Sequence, residues 1–326
     1  MLLQVLNAFL TVVAGIAAAL VLYFVLDRLS SLLPGEWKER VRPFTYILPA
    51  FAAICLYLVY PTVQSVIDSF KNASSTAFVG TDNYVNLWRS TGFQQAFFNT
   101  ILWVIVVPFT VVVIGLMVAV LVDKLKPTAE KTAKTMVFMP MAISAVGVAT
   151  VWRFMYATNP PSEPQVGLLN AIVTGLGGEP VPWLQTQTLH FNSLLLMISF
   201  MWAQVGYSMV LLSAAVKGVP TDTLEAGRID GANERQIFRR IVVPQIMPTV
   251  LTVFITVLIS TMKIFDIVYV MTNGNFNTSV VGLEFFNQLF TNFNNGAAAA
   301  IVVMLIIAII PVMVWQVRHF RMEEAS

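Results

Sequence analysis

Residues 100–122 read Thr100-Ile-Leu-Trp-Val-Ile-Val-Val-Pro-Phe-Thr-Val-Val-Val-Ile-Gly-Leu-Met-Val-Ala-Val-Leu-Val122, without one charged side chain. At 1.5 Å rise per residue such a run reaches roughly 35 Å, enough to cross a hydrocarbon core about 30 Å thick. Lipid offers no partner for backbone N–H and C=O groups, so a run of this kind is helical. Working outward, six further stretches have the same character: residues 2–26, 44–66, 135–157, 191–214, 248–271 and 297–317. The first has no basic start and runs into Asp27-Arg28 without a small-residue cleavage site, so it reads as a helix rather than a secretion signal.

The rest of the composition agrees. With 57% hydrophobic and 11% charged residues and a mean hydropathy of +0.76, the chain is no soluble globule. Cys55 is alone and has no partner for a disulfide or a shared metal, and no His, Cys or carboxylate cluster has metal-ligand spacing. The 19 Lys+Arg against 17 Asp+Glu give a net charge of +2, which offers nucleic acid no footprint. Membrane lipid is the expected environment of an all-α integral membrane protein.

Loop charge sets an orientation. Residues 27–43, 123–134, 215–247 and the tail after 317 hold fifteen Lys and Arg, against Lys71 and Arg89 in the opposite loops. Positive charge is retained on the cytoplasmic side, so the N-terminus is expected outside and the C-terminus in the cytoplasm.

The long loop 215–247 carries the most information. It contains Pro220-Thr-Asp-Thr-Leu-Glu-Ala-Gly-Arg-Ile-Asp-Gly-Ala-Asn-Glu-Arg-Gln-Ile-Phe-Arg-Arg-Ile-Val-Val-Pro244. Two short helices are predicted. The first starts near Pro220 with Asp222 and Glu225 spaced as a capping box, and Gly231 ends it. Asn233, with Gln236 three residues on, caps the second, which has an apolar side of Ile237, Phe238 and Ile241 and stops at Pro244. The small pair Ala226-Gly227 beside the Glu225 carboxylate would let another protein's backbone approach. An amphipathic helix lying on the membrane surface would show the same composition.

Glu225-Ala226-Gly227, then Gly231, then Ile241-x-x-Pro244 resembles the EAA signature (EAA, three residues, G, nine residues, I-x-L-P) of permease subunits of binding-protein-dependent ABC importers. Gly227 and Val243 depart mildly from it. Asp230-Gly231-Ala232, Phe238 and Pro244-x-x-x-Pro248 add the form of sugar permeases. Further matches are Phe78-Val-Gly80, Asn83-Tyr84, Phe93 through Ala96 to Asn99-Thr100, Gly167-Leu-Leu-Asn170, and Phe265-Asp266 through Thr272-Asn-Gly274. Gly274-Asn275-Phe276 stands where the family has G-G-P, which bears on the shape of that outer loop. Phe138 through Ser144 and Pro244 through Thr249 are similar to maltose-type and alpha-glucoside permeases.

The resemblance implies a type I ABC importer transmembrane fold. Residues 1–43 would be an added N-terminal helix and cytoplasmic linker, and residues 44–326 a six-helix transmembrane domain with coupling loop 215–247. It implies a multi-pass protein of the bacterial inner membrane working with a second homologous permease, two copies of a cytoplasmic ABC ATPase and an extracytoplasmic sugar-binding protein. ATP and Mg would belong to the ATPase; no cofactor is expected in this chain, which has no Gly-Lys dipeptide and hence no P-loop. Coupling would rest on Glu225 paired with an Arg of the ATPase, close packing at Ala226, Gly227 and Gly231, and the motif residues Asp230, Ala232, Phe238, Ile241 and Pro244.

Polar side chains within spans point to the substrate path, since a charge near mid-bilayer costs about 3 kcal/mol. Lys263 and Asp266 lie three apart on one predicted helix face, either neutralising each other or meeting a ligand, with Ser260 and Thr261 one turn away. Trp202, Gln204 and Tyr207 supply aromatic and hydrogen-bonding groups in the fifth span, and Ser144, beside Met141, in the fourth. These are the candidate contacts for a disaccharide or alpha-glucoside. Arg153, beside Trp152 and Tyr156, reads as a snorkelling side chain. A permease for another small polar solute is the alternative, and a secondary transporter, for which inverted repeats would be expected, a more distant one.

Overall fold

The computed structural model describes residues 2–32 and 35–324, and these are mainly helical with no strand among them. Six helices are long and apolar enough to cross a membrane, and a bent pair makes a seventh if counted as one span. The chain divides into two compact units, residues 1–67 and 68–326.

The first unit contains α1 (Leu2–Ser31), α2 (Glu36–Ile54) and most of α3 (Tyr60–Asp68), with a π-turn, Cys55–Val59, carrying α2 into α3. Asp27 pins α1 to α2: its Oδ1 accepts from Arg42 Nη2 at 3.0 Å and from Tyr46 Oη at 2.9 Å. Tyr23 stacks on Tyr46, ring centroids 6.2 Å apart. No residue in the apolar window of either span is buried, so the two helices leave most of their hydrophobic surface uncovered by each other.

The second unit is built around α5 (Thr91–Asp123), α9 (Phe191–Lys217) and α12 (Val243–Met262). Trp103, Val107 and Val111 of α5 pack with Leu196, Met209 and Leu212 of α9 and Val253 and Val257 of α12, all fully or almost fully buried. Small residues let the helices close up: a Cβ on Gly115 would collide with the Ser208 side chain, and one on Gly206 would lie 2.8 Å from Phe138 Cα. Short helices α4 (Asp82–Arg89) and α8 (Leu168–Gly175) lie in the connections, and α14 (Val281–Phe286) leads to the last span, α15 (Asn295–Glu324).

Two predicted spans are not single helices. Residues 135–157 form the end of α6 (Pro127–Phe138), a 3-10 turn over Met139–Ala142 and then α7 (Ala145–Met155), with a bend of 101°. Pro140 cannot donate to a continuing helix, and Ser144 is extended and caps α7, accepting from Gly147 N at 3.1 Å. Residues 248–271 likewise end as a helix at Met262 and resume at Asp266 in α13 (Asp266–Met271). Phe265 between them has φ −142° and ψ −57°. Gly282 gives room for the break, since a Cβ there would lie 2.5 Å from the Ile264 carbonyl oxygen.

Candidate functional site

The loop after α9 folds as two helices meeting at a corner. The first, α10 (Thr221–Ile229), begins after Pro220, whose side chain offers no cap. The expected box of Asp222 and Glu225 does not form, because the helix starts one residue before Asp222 and leaves that side chain inside the first turn. Its end is as expected. Gly231 has φ +79°, and Ala232 N donates to Gly227 O at 3.0 Å and Gly231 N to Arg228 O at 3.1 Å, the paired bonds of a Schellman turn. Asn233 then opens α11 (Glu234–Ile237) with a complete capping box: Gln236 N donates to Asn233 Oδ1 at 3.0 Å and Asn233 N to Gln236 Oε1 at 2.8 Å.

Pro244 does not stop the second helix. A π-turn over Phe238–Val242, in which Val243 N donates to Phe238 O, carries α11 directly into α12. The widened turn accommodates the proline ring and its missing N–H, so residues 234–262 are helical throughout.

Gly227 is the contact between the two halves. It is buried, and a Cβ there would lie 2.7 Å from Ile241 Cδ1. Its smallness therefore serves packing within the chain. Ile237, Val242 and Ile246 form a small core with Val219, flanked by Leu224, Ala232, Phe238 and Ile241, and Phe238 faces Val113, Leu116 and Met117 of α5. Across the corner Arg228 Nε donates to Glu234 Oε1 at 2.9 Å. This bond holds the Glu234 carboxyl below its usual range and raises the Arg228 guanidinium above its own. Both are solvent-exposed, so the pair orients the corner rather than stabilising it.

What remains outward is a patch on α10. Glu225, Ala226 and Asp230 are exposed, and Ile229, one turn after Glu225 on the same face, is 86% exposed. Ile229 is absent from the sequence-based candidates. Its signal was its isolation, an isoleucine whose neighbours at i−4 and i−3 are Glu225 and Ala226.

The candidates within the spans do not all converge. Gln204 and Tyr207 share one face of α9 and are half-buried, whereas Trp202, two residues from Gln204, points about 200° away. Trp202 packs edge-on against Trp152 of α7, centroids 5.8 Å apart, and lines an apolar cavity of about 450 Å3 with Met136, Val137 and Pro140. Ser144 sits at the bend as the α7 cap. Thr261 is buried and donates to Val257 O at 2.7 Å, so it faces the protein interior; Ser260 is half-buried and donates to Thr256 O at 2.9 Å. Lys263 and Asp266 are not on one helix face, because the chain breaks between them, and no ion pair joins them. Lys263 is exposed at the mouth of a cavity lined by Phe265, Phe285 and Phe286. Asp266 stands in the first turn of α13, where helix amides favour a carboxylate. Arg153 does more than snorkel: its Nη1 donates to Val270 O at 3.1 Å, tying α7 to α13.

Two buried asparagines, Asn99 and Asn192, neither of them among the sequence-based site candidates, hold the segment after α13. Asn99 donates to Asn277 O at 2.7 Å and Ser279 O at 2.8 Å, and Asn192 to Phe276 O at 2.7 Å. Their signal was an amide near the end of an apolar span, where backbone without helical partners must find donors.

Residues 113–321 match the family described as binding-protein-dependent transport system inner membrane component. The chain is 40% identical to the alpha-glucoside transport system permease protein AglF of Rhizobium meliloti, over 99% of each chain. It is 44% identical to the osmoprotective compounds uptake permease protein GgtC of Synechocystis, over 86% of this chain and 99% of that one. A chain of a bacterial alginate ABC transporter, solved in complex with an alginate pentasaccharide-bound periplasmic protein, superposes with a TM-score of 0.74 at 18% identity. That likeness covers 86% of this chain and 94% of that one and shows the fold. A multi-pass bundle with this loop, matched over both its core spans and the loop itself, belongs to the family of binding-protein-dependent transport system inner membrane components.

Proposed function

We propose that the chain is the permease subunit of an ATP-driven carbohydrate importer, forming half of a translocation path with a second homologous permease. Two copies of a cytoplasmic ATPase would drive it and an extracytoplasmic binding protein would deliver a disaccharide or alpha-glucoside. In this reading the N-terminus is outside, the C-terminus and loop 215–247 are cytoplasmic, and residues 44–326 carry the shared transmembrane domain. One observation carries the coupling assignment. The α10–α11 corner is fixed internally by its Schellman turn, capping box and Gly227 contact, yet it turns Glu225 and Ile229 outward, exposed to whatever meets that face. A rigid element with an exposed carboxylate beside an exposed isoleucine suits a cleft that offers a cation and an apolar floor. The nearby Asp230 and Ala226 would border the contact.

The carbohydrate class rests on the 40% identity, along the whole chain, to a permease named for alpha-glucosides. Gln204 and Tyr207, with Ser260, Lys263 and Asp266 at the broken sixth span, are the proposed contacts in the path. The osmoprotective-compound relative favours a second reading, import of another small polar solute. Co-purification of the ATPase with Glu225→Ala, followed by vesicle uptake, tests the coupling assignment. The wild type retains both, and the variant, which leaves an ATPase cation unpaired, loses about 2–5 kcal/mol of contact energy and with it uptake. Full ATPase retention and wild-type uptake in Glu225→Ala would refute it. A solute panel presented through the cognate binding protein separates alpha-glucosides from osmoprotective solutes.

A further inference from the structure

Among the cavities formed by the described residues of the second unit, one differs in chemistry. It encloses about 300 Å3 and is lined by Arg153, Tyr156 and Thr158 at the end of α7, Gln185 after α8, and Thr272 and Phe276 beyond α13. Other cavities in this unit are lined mainly by aliphatic and aromatic side chains.

Its walls are held from behind by buried amides. Asn170 donates to Ala157 O at 3.2 Å and Val181 O at 3.0 Å and accepts from Val181 N at 2.9 Å. Thr158 Oγ1 donates to Val181 O at 2.8 Å. Asn192 fixes the carbonyl of Phe276, and the hydroxyls of Thr272 and Thr278 are 2.6 Å apart. Phe276 is held at φ +57°, a left-handed conformation rare for an aromatic residue and maintained only where surrounding contacts over-determine it. It also stands where the resembling family carries the proline of G-G-P, so neither the ring nor its conformation is explained by the shared pattern.

The groups facing the cavity form a coherent set. Arg153 spends one nitrogen on Val270 O and keeps the rest of its donor fork. Gln185 makes no side-chain hydrogen bond among the described residues and offers a donor and an acceptor together. Phe276 adds an aromatic face. A pyranose ring matches this set, because it presents C–H bonds on one face and hydroxyls, each donor and acceptor, around its edge. The volume lies at the small end of ligand pockets, the size for one ring rather than a chain of rings. A single cation already engaged by a carbonyl favours a neutral ligand over an anion.

We propose that this cavity is an outer subsite for one pyranose ring of the imported carbohydrate, with Phe276 as its platform and Arg153 and Gln185 as hydroxyl partners. It rests on the carbohydrate reading above and is distinct from Gln204 and Tyr207 on α9. The test is saturation-transfer NMR of methyl α-D-glucopyranoside against the assembled permease–ATPase complex in nanodiscs, without the binding protein. Phe276→Gly removes the ring while tolerating the positive φ, Phe276→Tyr keeps the ring, and Gln185→Ala removes the amide. The wild type and Phe276→Tyr are expected to saturate the ring protons. Phe276→Gly and Gln185→Ala are expected to bind about tenfold or more weakly, and Leu176→Ala, at an exposed position outside this cavity, to bind as the wild type does. No saturation in the wild type, equal saturation in all variants, or preference for glucuronate would overturn the subsite. A loss in Leu176→Ala as large as that in Phe276→Gly would also overturn it and leave the carbohydrate reading standing. Failure of that reading is seen separately, as absence of neutral-sugar uptake by the complete transporter with its binding protein.

Discussion

Gly227 offers the sharpest test of how the loop is built. A methyl group added there would lie 2.7 Å from Ile241 Cδ1 and 3.6 Å from Ile237 Cγ1. The nearer atom is the far end of a flexible side chain, so Gly227→Ala requires only that Ile241 rotate its terminal methyl, at about 0.5–1.5 kcal/mol if the rotamer is poor. Replacing a helical glycine by alanine returns about 1 kcal/mol. The two nearly cancel, and Gly227→Ala is expected to keep complex stability and uptake within measurement error. Gly227→Leu has no such exit. Three further carbons must enter a contact already shorter than van der Waals distance, at about 1–3 kcal/mol of overpacking, and α10 must lift from Ile237 and Ile241. That displacement carries Glu225 and Ile229 with it. The expected result is normal membrane insertion with loss of ATPase co-purification, partly recovered in Gly227→Leu/Ile241→Ala, where the coupling between the two changes should reach about 1 kcal/mol. Wild-type uptake in Gly227→Leu, or its loss in Gly227→Ala, would show that this packing does not position the loop.

A Cβ on Gly231 would meet nothing within 4 Å, but the residue has a φ of +79°, so Gly231→Ala should lower the melting temperature of the complex through about 1 kcal/mol of backbone strain and Gly231→Asn through less; equal losses would point to a steric contact instead. Since Lys263 and Asp266 do not pair, the effects of Lys263→Met and Asp266→Asn on uptake should add in the double variant, and recovery in the double variant would contradict the break between them. Asn99→Ala strips donors from the Asn277 and Ser279 carbonyls, at about 1–3 kcal/mol, and should speed proteolysis of the segment after α13; unchanged cleavage would mean that the segment is held elsewhere.

Span positions were legible because hydropathy is a property of composition, and α5, α9 and α15 lie where the apolar runs place them. The bends were not, because an apolar run has the same composition straight or broken. For the fourth span Pro140 and Ser144 carried the signal, a helix breaker followed by a capping residue. For the sixth, reading Lys263 and Asp266 as neighbours assumed the helix whose interruption separates them. Grouping Trp202 with Gln204 and Tyr207 ignored the helical period, which turns residues two apart to opposite sides. In the loop, Gly231 and the Asn233–Gln236 box were readable because each is a local device. The fate of Pro244 was not, since it depends on a π-turn that the residues before it share with the packing around Phe238.

That π-turn sets where motion can emerge. Because helix runs unbroken through residues 234–262, the end of the loop and the sixth span form one lever about 43 Å long. A tilt of roughly 5° imposed at one end displaces the other by about 4 Å. The lever's far end is the interruption at Lys263–Phe265, where the break takes up the swing that a proline hinge near the loop would have absorbed. In the coupling reading proposed above, a push beside Glu225, passed on at the Gly227–Ile241 contact, would surface at the polar residues of the broken span, carried there by the stiffness of one helix.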